Sequence, residues 1–148
     1  MSGGPPLSGA WATEPSSGAS AERYERLERI ASGGMGVVWR VRDRVLNRDV
    51  AYKTVATGAS DDARSRLVQE ARLAAQLAEP GVIRVYDHGT RDDGRPFYVM
   101  ELIDFPLLGR GRDEDCRSLV AVAHTVGHAH ARGLVHRDLK PSNLGRRG

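Results

Sequence analysis

Near the C-terminal end the chain reads His136-Arg137-Asp138-Leu139-Lys140-Pro141-Ser142-Asn143. A carboxylate, an ammonium and an amide fall within six positions. A carboxylate such as Asp138 accepts a hydroxyl proton. An ammonium such as Lys140 neutralises a transferring phosphoryl group. The amide oxygen of Asn143 is a hard donor of the kind Mg²⁺ takes. The chemistry suggested is phosphoryl transfer to a hydroxyl.

Cation usage sharpens this. All but two of the 22 Lys+Arg residues are arginine, the exceptions being Lys53 and Lys140. Lysine is a compact point charge on a flexible stem, and a narrow site that needs an ammonium does not accept a guanidinium fork. Both lysines are therefore candidates for chemistry, against chance in a chain that favours Arg. Glu70 is a third candidate. Helical spacing groups Leu67, Glu70, Ala71, Ala74 and Ala78 near one face. A carboxylate in a buried apolar stripe requires a cation, whereas one at the stripe's edge reaches water. Ala51 and Lys53 point to the same side of a strand, and Glu70 is the natural partner for Lys53.

These residues need a scaffold. Residues 24–31, 37–41 and 50–55 read as strands, with Ser32-Gly33-Gly34-Met35-Gly36 as the turn between the first two. Ser60-Asp61-Asp62 offers capping residues for a helix over 63–78, which Pro80-Gly81 ends. Residues 82–89 and 96–103 form a strand pair turned at 91–95. A helix follows over 114–131, with Leu119, Val122, Ala123 and Val126 as its apolar stripe. The glycine-rich turn joins strand to strand, not strand to helix, which argues against a dinucleotide fingerprint and a Walker loop. It suits either a hairpin whose N–H groups close over phosphates or an ordinary glycine-rich hairpin.

Together these segments resemble a bacterial eukaryotic-like (Hanks-type) serine/threonine protein kinase. The stretch IASGGMGVVWRVRD resembles the Gly-rich loop, VAYK the strand with the phosphate-binding lysine, VMELI the hinge and HRDLKPSN the catalytic loop, all in the family's order. The resemblance covers roughly residues 24–143. It implies an α+β fold: a kinase N-lobe of five antiparallel strands and one long helix, then the first helix and catalytic loop of an incomplete C-lobe. The domains expected are a disordered Gly/Pro/Ser-rich tail over 1–22, the N-lobe with hinge over 23–104 and a partial C-lobe over 105–148.

The resemblance also implies ATP and Mg²⁺ as cofactors and a protein Ser/Thr hydroxyl as acceptor. Ile30, Ser32, Gly33, Gly34, Met35 and Gly36 would cover the nucleotide. Val38 and Ala51 would sandwich adenine, with Met100 as gatekeeper and Glu101 at the hinge. Lys53, oriented by Glu70, would hold the α- and β-phosphates. Asp138 would orient or deprotonate the acceptor hydroxyl, Lys140 would meet the γ-phosphate and Asn143 would bind Mg²⁺.

Departures from the pattern carry expectations too. Ala31 stands where the loop's first glycine is usual, which an ordinary strand conformation tolerates. Residues 105–113 are short, so the helix usual there is expected to be missing. No Asp-Phe-Gly follows Asn143, and Gly145-Arg146-Arg147-Gly148 is not the apolar strand usual there. The chain is thus expected to be truncated after the catalytic loop and to have little turnover. The readings open are an active kinase, a pseudokinase-like fragment that binds nucleotide or a partner, and a frameshifted remnant. The stripe of the 114–131 helix would be partly exposed and open to a protein partner.

Composition excludes other classes. Hydrophobic content of 40% and charged content of 28% suit a globular protein. No apolar run is long enough for a membrane span, and no signal peptide is visible. Cys116 is the only cysteine, so no internal disulfide forms and a cytoplasmic location is expected. The net charge of +3 is spread among scattered arginines, which does not indicate a nucleic-acid partner. His124 and His128 share a helix face but lack the third ligand a zinc site needs.

Overall fold

The computed structural model describes residues 23–34, 36–77, 79–103, 105–136 and 139–146. The tail over 1–22, Met35, Ala78 and Asp138 lie outside the described residues. The elements are β1 (Tyr24–Gly33), β2 (Gly36–Asp43), β3 (Arg48–Thr54), α1 (Asp61–Leu77), β4 (Val85–Thr90), β5 (Pro96–Met100), β6 (Phe105–Pro106), α2 (Arg112–Ala131), a 3₁₀ turn (Pro141–Asn143) and β7 (Gly145–Arg146). The first five strands form one antiparallel sheet in the order β1-β2-β3-β5-β4.

The sheet buries side chains on both faces. On one face Tyr24, Val41, Val50, Tyr52, Phe97 and Val99 pack together, with Trp39 against them. Tyr52 stacks on Phe97 with ring centroids 4.8 Å apart, a geometry that adds about 1 kcal/mol beyond the area buried. On the other face Leu67 and Ala71 of α1 pack against Tyr98 and Val55, with Val85 and Met100 alongside. Leu67 and Ala71 are one helical turn apart, so α1 meets β4 and β5 along a narrow stripe. Its start is capped as the sequence implies: Ser60 Oγ accepts the Ala63 N–H at 3.2 Å, and Asp61 and Asp62 lie in the positive first turn.

Several boundaries differ from the sequence reading. β4 begins at Val85, not at 82, because the Val82 N–H is spent on the Glu79 carbonyl in the Pro80-Gly81 turn. β5 ends at Met100 rather than 103. α2 begins at Arg112 rather than 114, with Asp113, Glu114 and Asp115 in its first turn. Asp115 also accepts the N–H groups of Gly109 and Arg110, which fixes the approach to the helix. No helix lies among the described residues between β5 and α2. At the far end, Gly133 at φ +75° closes α2, its N–H bonding to the His130 carbonyl and that of Leu134 to Ala129.

Gly145 and Arg146 do form a strand despite their polar character. Arg146 pairs with Phe105 and Gly145 with Pro106. The ladder uses backbone groups, so it needs no apolar side chain. It ties the segment after Asn143 to the segment leaving β5.

Candidate functional site

Register brings the site residues of the sheet together. In an antiparallel pair, directly opposed residues share a face. Ala31 opposes Val38, Val38 opposes Lys53, and Lys53 opposes Tyr98. One pleat along, Ala51 opposes Met100, and Met100 opposes Val85. Val38, Ala51, Lys53, Tyr98 and Met100 therefore lie on one face of the sheet, the face on which α1 packs.

Lys53 and Glu70 meet there. Lys53 Nζ donates to both carboxylate oxygens of Glu70, at 2.7 Å and 2.8 Å. The two partners differ in exposure: the Lys53 side chain is 13% exposed and that of Glu70 46%. Glu70 is thus a stripe-edge residue that nevertheless pairs with the cation. The phenol of Tyr98 donates to the same Glu70 Oε1 at 2.8 Å. Burial first, then the Glu70 charge and this hydrogen bond, push the Tyr98 phenol far above the usual tyrosine range. Lys53 Nζ also lies 5.8 Å from the Tyr98 ring centre, within reach of the ring's negative face. Tyr98 was not among the residues singled out in the sequence. Its signal was a polar-tipped aromatic two positions before Met100 in PFYVM, hence on the same face.

The glycine-rich hairpin closes with Gly33 opposite Gly36. Gly36 has φ +123°, a conformation that requires glycine, and lies against the Thr54 carbonyl. Around Gly33 and Gly34 a Cβ would meet no atom within 4 Å, so space is open beside the hairpin backbone. Ile30 is 47% exposed on β1, and Ser32 is exposed near its end. Ala31 sits within β1 at an ordinary strand conformation, since Asn47 is the one non-glycine residue with positive φ among the described residues. After β5, the Glu101 N–H donates to the Arg84 carbonyl at 2.9 Å, which holds the chain leaving the strand.

In the loop following α2, Lys140 is extended (φ −150°, ψ 159°) and precedes the 3₁₀ turn. Its carbonyl accepts the Asn143 N–H at 2.9 Å. Lys140 and Asn143 are both exposed. Among the described residues no three His, Cys, Asp or Glu side chains cluster as a metal site, and no helix is long and apolar enough to cross a membrane.

Comparison with known proteins agrees with this layout. The protein kinase domain family model matches residues 24–144. The DNA damage-responsive serine/threonine-protein kinase RqkA of Deinococcus radiodurans is 39% identical over 134 residues, covering 84% of this chain and 20% of RqkA. The serine/threonine-protein kinase PknA of Mycobacterium tuberculosis is 40% identical over 136 residues, covering 82% of this chain and 32% of PknA. The PknI kinase domain of M. tuberculosis superposes with a TM-score of 0.62 at 28% identity, over 82% of this chain and 53% of that one. The chain therefore spans a fifth to a third of these curated relatives and about half of the solved kinase domain.

Proposed function

The chain belongs to the protein kinase domain family, and from that premise we propose that it acts as an ATP-dependent serine/threonine protein kinase. The reaction is transfer of the γ-phosphoryl group of Mg-ATP to a protein Ser or Thr hydroxyl. The observation that carries this reading is the two-pronged Lys53–Glu70 pair, set on the sheet face that also bears Val38, Ala51 and Met100.

In this reading the apolar side chains of Val38, Ala51 and Met100, with Ile30, receive the adenine, and Glu101 lies at its edge. Lys53 offers its ammonium to the α- and β-phosphates while Glu70 fixes its direction. The open space at Gly33 and Gly34 fits a phosphate chain approaching the hairpin backbone, with Ser32, Met35 and Gly36 completing the cover. Lys140 faces the γ-phosphate, and Asp138 orients or accepts the proton of the attacking hydroxyl. The exposed Asn143 amide oxygen is a hard donor that suits Mg²⁺, which would neutralise charge on the phosphates.

The test is phosphoryl transfer from labelled ATP to a generic basic protein, alongside binding of a fluorescent ADP analogue. Transfer that disappears in Asp138→Asn, with binding retained, supports the kinase reading. Binding without transfer favours a second reading, a module that binds nucleotide or a protein partner without turnover. That reading draws on α2, which has no buried residue and leaves Leu119 47% and Val120 58% exposed. Absence of binding rejects both nucleotide readings.

A further inference from the structure

We propose that Tyr98 is a positioning residue of this site: its hydroxyl holds Glu70 Oε1 so that the carboxylate faces Lys53 whether or not nucleotide is present. The proposal deepens the nucleotide-site reading above and rests on it for its functional meaning. Its geometry stands independently.

Glu70 sits on α1 and Lys53 on β3, so their pair is only as fixed as the helix side chain. Glu70 is half exposed, and an exposed carboxylate on a three-bond stem samples several rotamers in water. The pair with Lys53 joins it to one ammonium at the end of a flexible stem, which does not by itself remove that freedom. Tyr98 does. Tyr98 is 2% exposed and packs with Leu67, Ala71 and Val55, so the hydroxyl has little freedom to move. It reaches Glu70 Oε1 at 2.8 Å from the strand position directly opposite Lys53. The carboxylate thus accepts from two donors on adjacent strands, one a rigid phenol and the other the ammonium.

The consequence appears when Lys53 turns to a phosphate. Glu70 then shares its cation with the ligand, yet Tyr98 still holds one oxygen. The helix side chain stays in place, and the ammonium is aimed before the nucleotide arrives. Such preorganisation lowers the cost of binding.

Because the chain has only two lysines, amine labelling reports on Lys53 without ambiguity. The experiment treats the chain with acetic anhydride and measures acetylation of Lys53 relative to Lys140 by mass spectrometry. It compares wild type, Tyr98→Phe, Glu70→Ala and the double variant, each with and without Mg-ADP. Tyr98→Phe keeps the ring, so the packing is retained. The expected result is that Tyr98→Phe raises Lys53 labelling about threefold or more, and adds nothing in the Glu70→Ala background. Unchanged labelling in Tyr98→Phe, or an equal increase in the Glu70→Ala background, overturns the proposal. A structural role alone would lower thermal stability without this dependence on Glu70. Protection by Mg-ADP reports separately on the nucleotide reading: loss of that protection in wild type sinks the reading, while the labelling comparison still decides the tether.

Discussion

Gly36 lies directly against the carbonyl oxygen of Thr54: a Cβ at Gly36 would overlap that oxygen. The contact joins the start of β2 to the end of β3, immediately after the glycine-rich turn. Gly36→Ala therefore meets both a backbone clash and a φ of +123°, and is expected to destabilise the protein by about 2 kcal/mol or more. Gly33→Ala and Gly34→Ala meet open space and are expected to change stability by no more than about 0.5 kcal/mol. If the hairpin covers phosphates, those two variants still weaken nucleotide binding. Urea unfolding and titration with a fluorescent ADP analogue separate the two effects.

The unequal exposure of Lys53 and Glu70 predicts unequal variants. Glu70→Ala removes the acceptor shared by the Lys53 ammonium and the buried Tyr98 hydroxyl. It is expected to lower stability by about 2 kcal/mol. Lys53→Met keeps the apolar stem and leaves a carboxylate that water reaches, at an expected loss of about 1 kcal/mol or less. Nucleotide affinity runs the other way. Lys53→Met removes the ammonium itself and is expected to weaken Mg-ADP binding about tenfold or more, and further than Glu70→Ala does. Chemical unfolding and equilibrium binding on both variants check the crossing.

The order of strands and helices was legible because hydrophobic alternation, the Ser60 cap and the Pro80-Gly81 break are local signals. Lys53 was legible from scarcity, since a chain that uses arginine almost everywhere places lysine at two positions, and Glu70 from a carboxylate set in the apolar stripe of its helix. Tyr98 was not legible as a site residue, because its role depends on register between β3 and β5, which no local pattern states. The Asp43 cluster escaped for the same reason. Asp43 is buried at the end of β2 and accepts from the Arg23 guanidinium and from the N–H groups of Val45 and Leu46. Arg23 lies 20 positions away in sequence. The short pairing of β6 with β7 was invisible because strands of two residues are too short to leave a periodic trace.

Acid and alkali should each destabilise the fold, through different groups. The Arg23 hydrogen bonds hold Asp43 below the usual carboxylate range. Burial would raise Asp93, but hydrogen bonds from Arg95 and the charges of Arg91 and Arg95 bring it to about 2. The unfolded carboxylates take up protons near pH 3.8, before the folded ones do. Their stabilisation is complete above that pH and is lost as pH falls toward 2. Tyr98 and Tyr24 are raised above the ordinary phenol value of 10.0, burial being the first cause in both. The unfolded phenols ionise first, so stability falls as pH rises through 10. Urea midpoints measured across pH should show both flanks. Asp93→Asn should flatten the acid flank, and Tyr98→Phe the alkaline one.

Arg95 tests whether a buried cation near the site belongs to the fold or to the chemistry. It is 8% exposed, and its guanidinium spans two segments. Nη1 donates to the Val55 carbonyl at 3.3 Å and to Thr57 Oγ1 at 3.1 Å. Nε and Nη2 donate to Asp93 Oδ2 at 2.9 Å and 2.7 Å. The arginine thereby fastens the β4–β5 turn to the chain between β3 and α1. A lysine has one nitrogen and does not reproduce that fork. Arg95→Lys is expected to lower stability by about 2 kcal/mol and Arg95→Ala by about 3 kcal/mol, since both take the guanidinium from the buried Val55 carbonyl and leave Asp93 held only by Arg91 and the backbone N–H of position 95. Neither variant touches the Lys53–Glu70 pair, so in the folded protein Mg-ADP affinity should stay within about twofold of wild type. Affinity that falls in step with the Lys53 variant would instead show that the turn sets the position of α1, and with it the direction of Glu70.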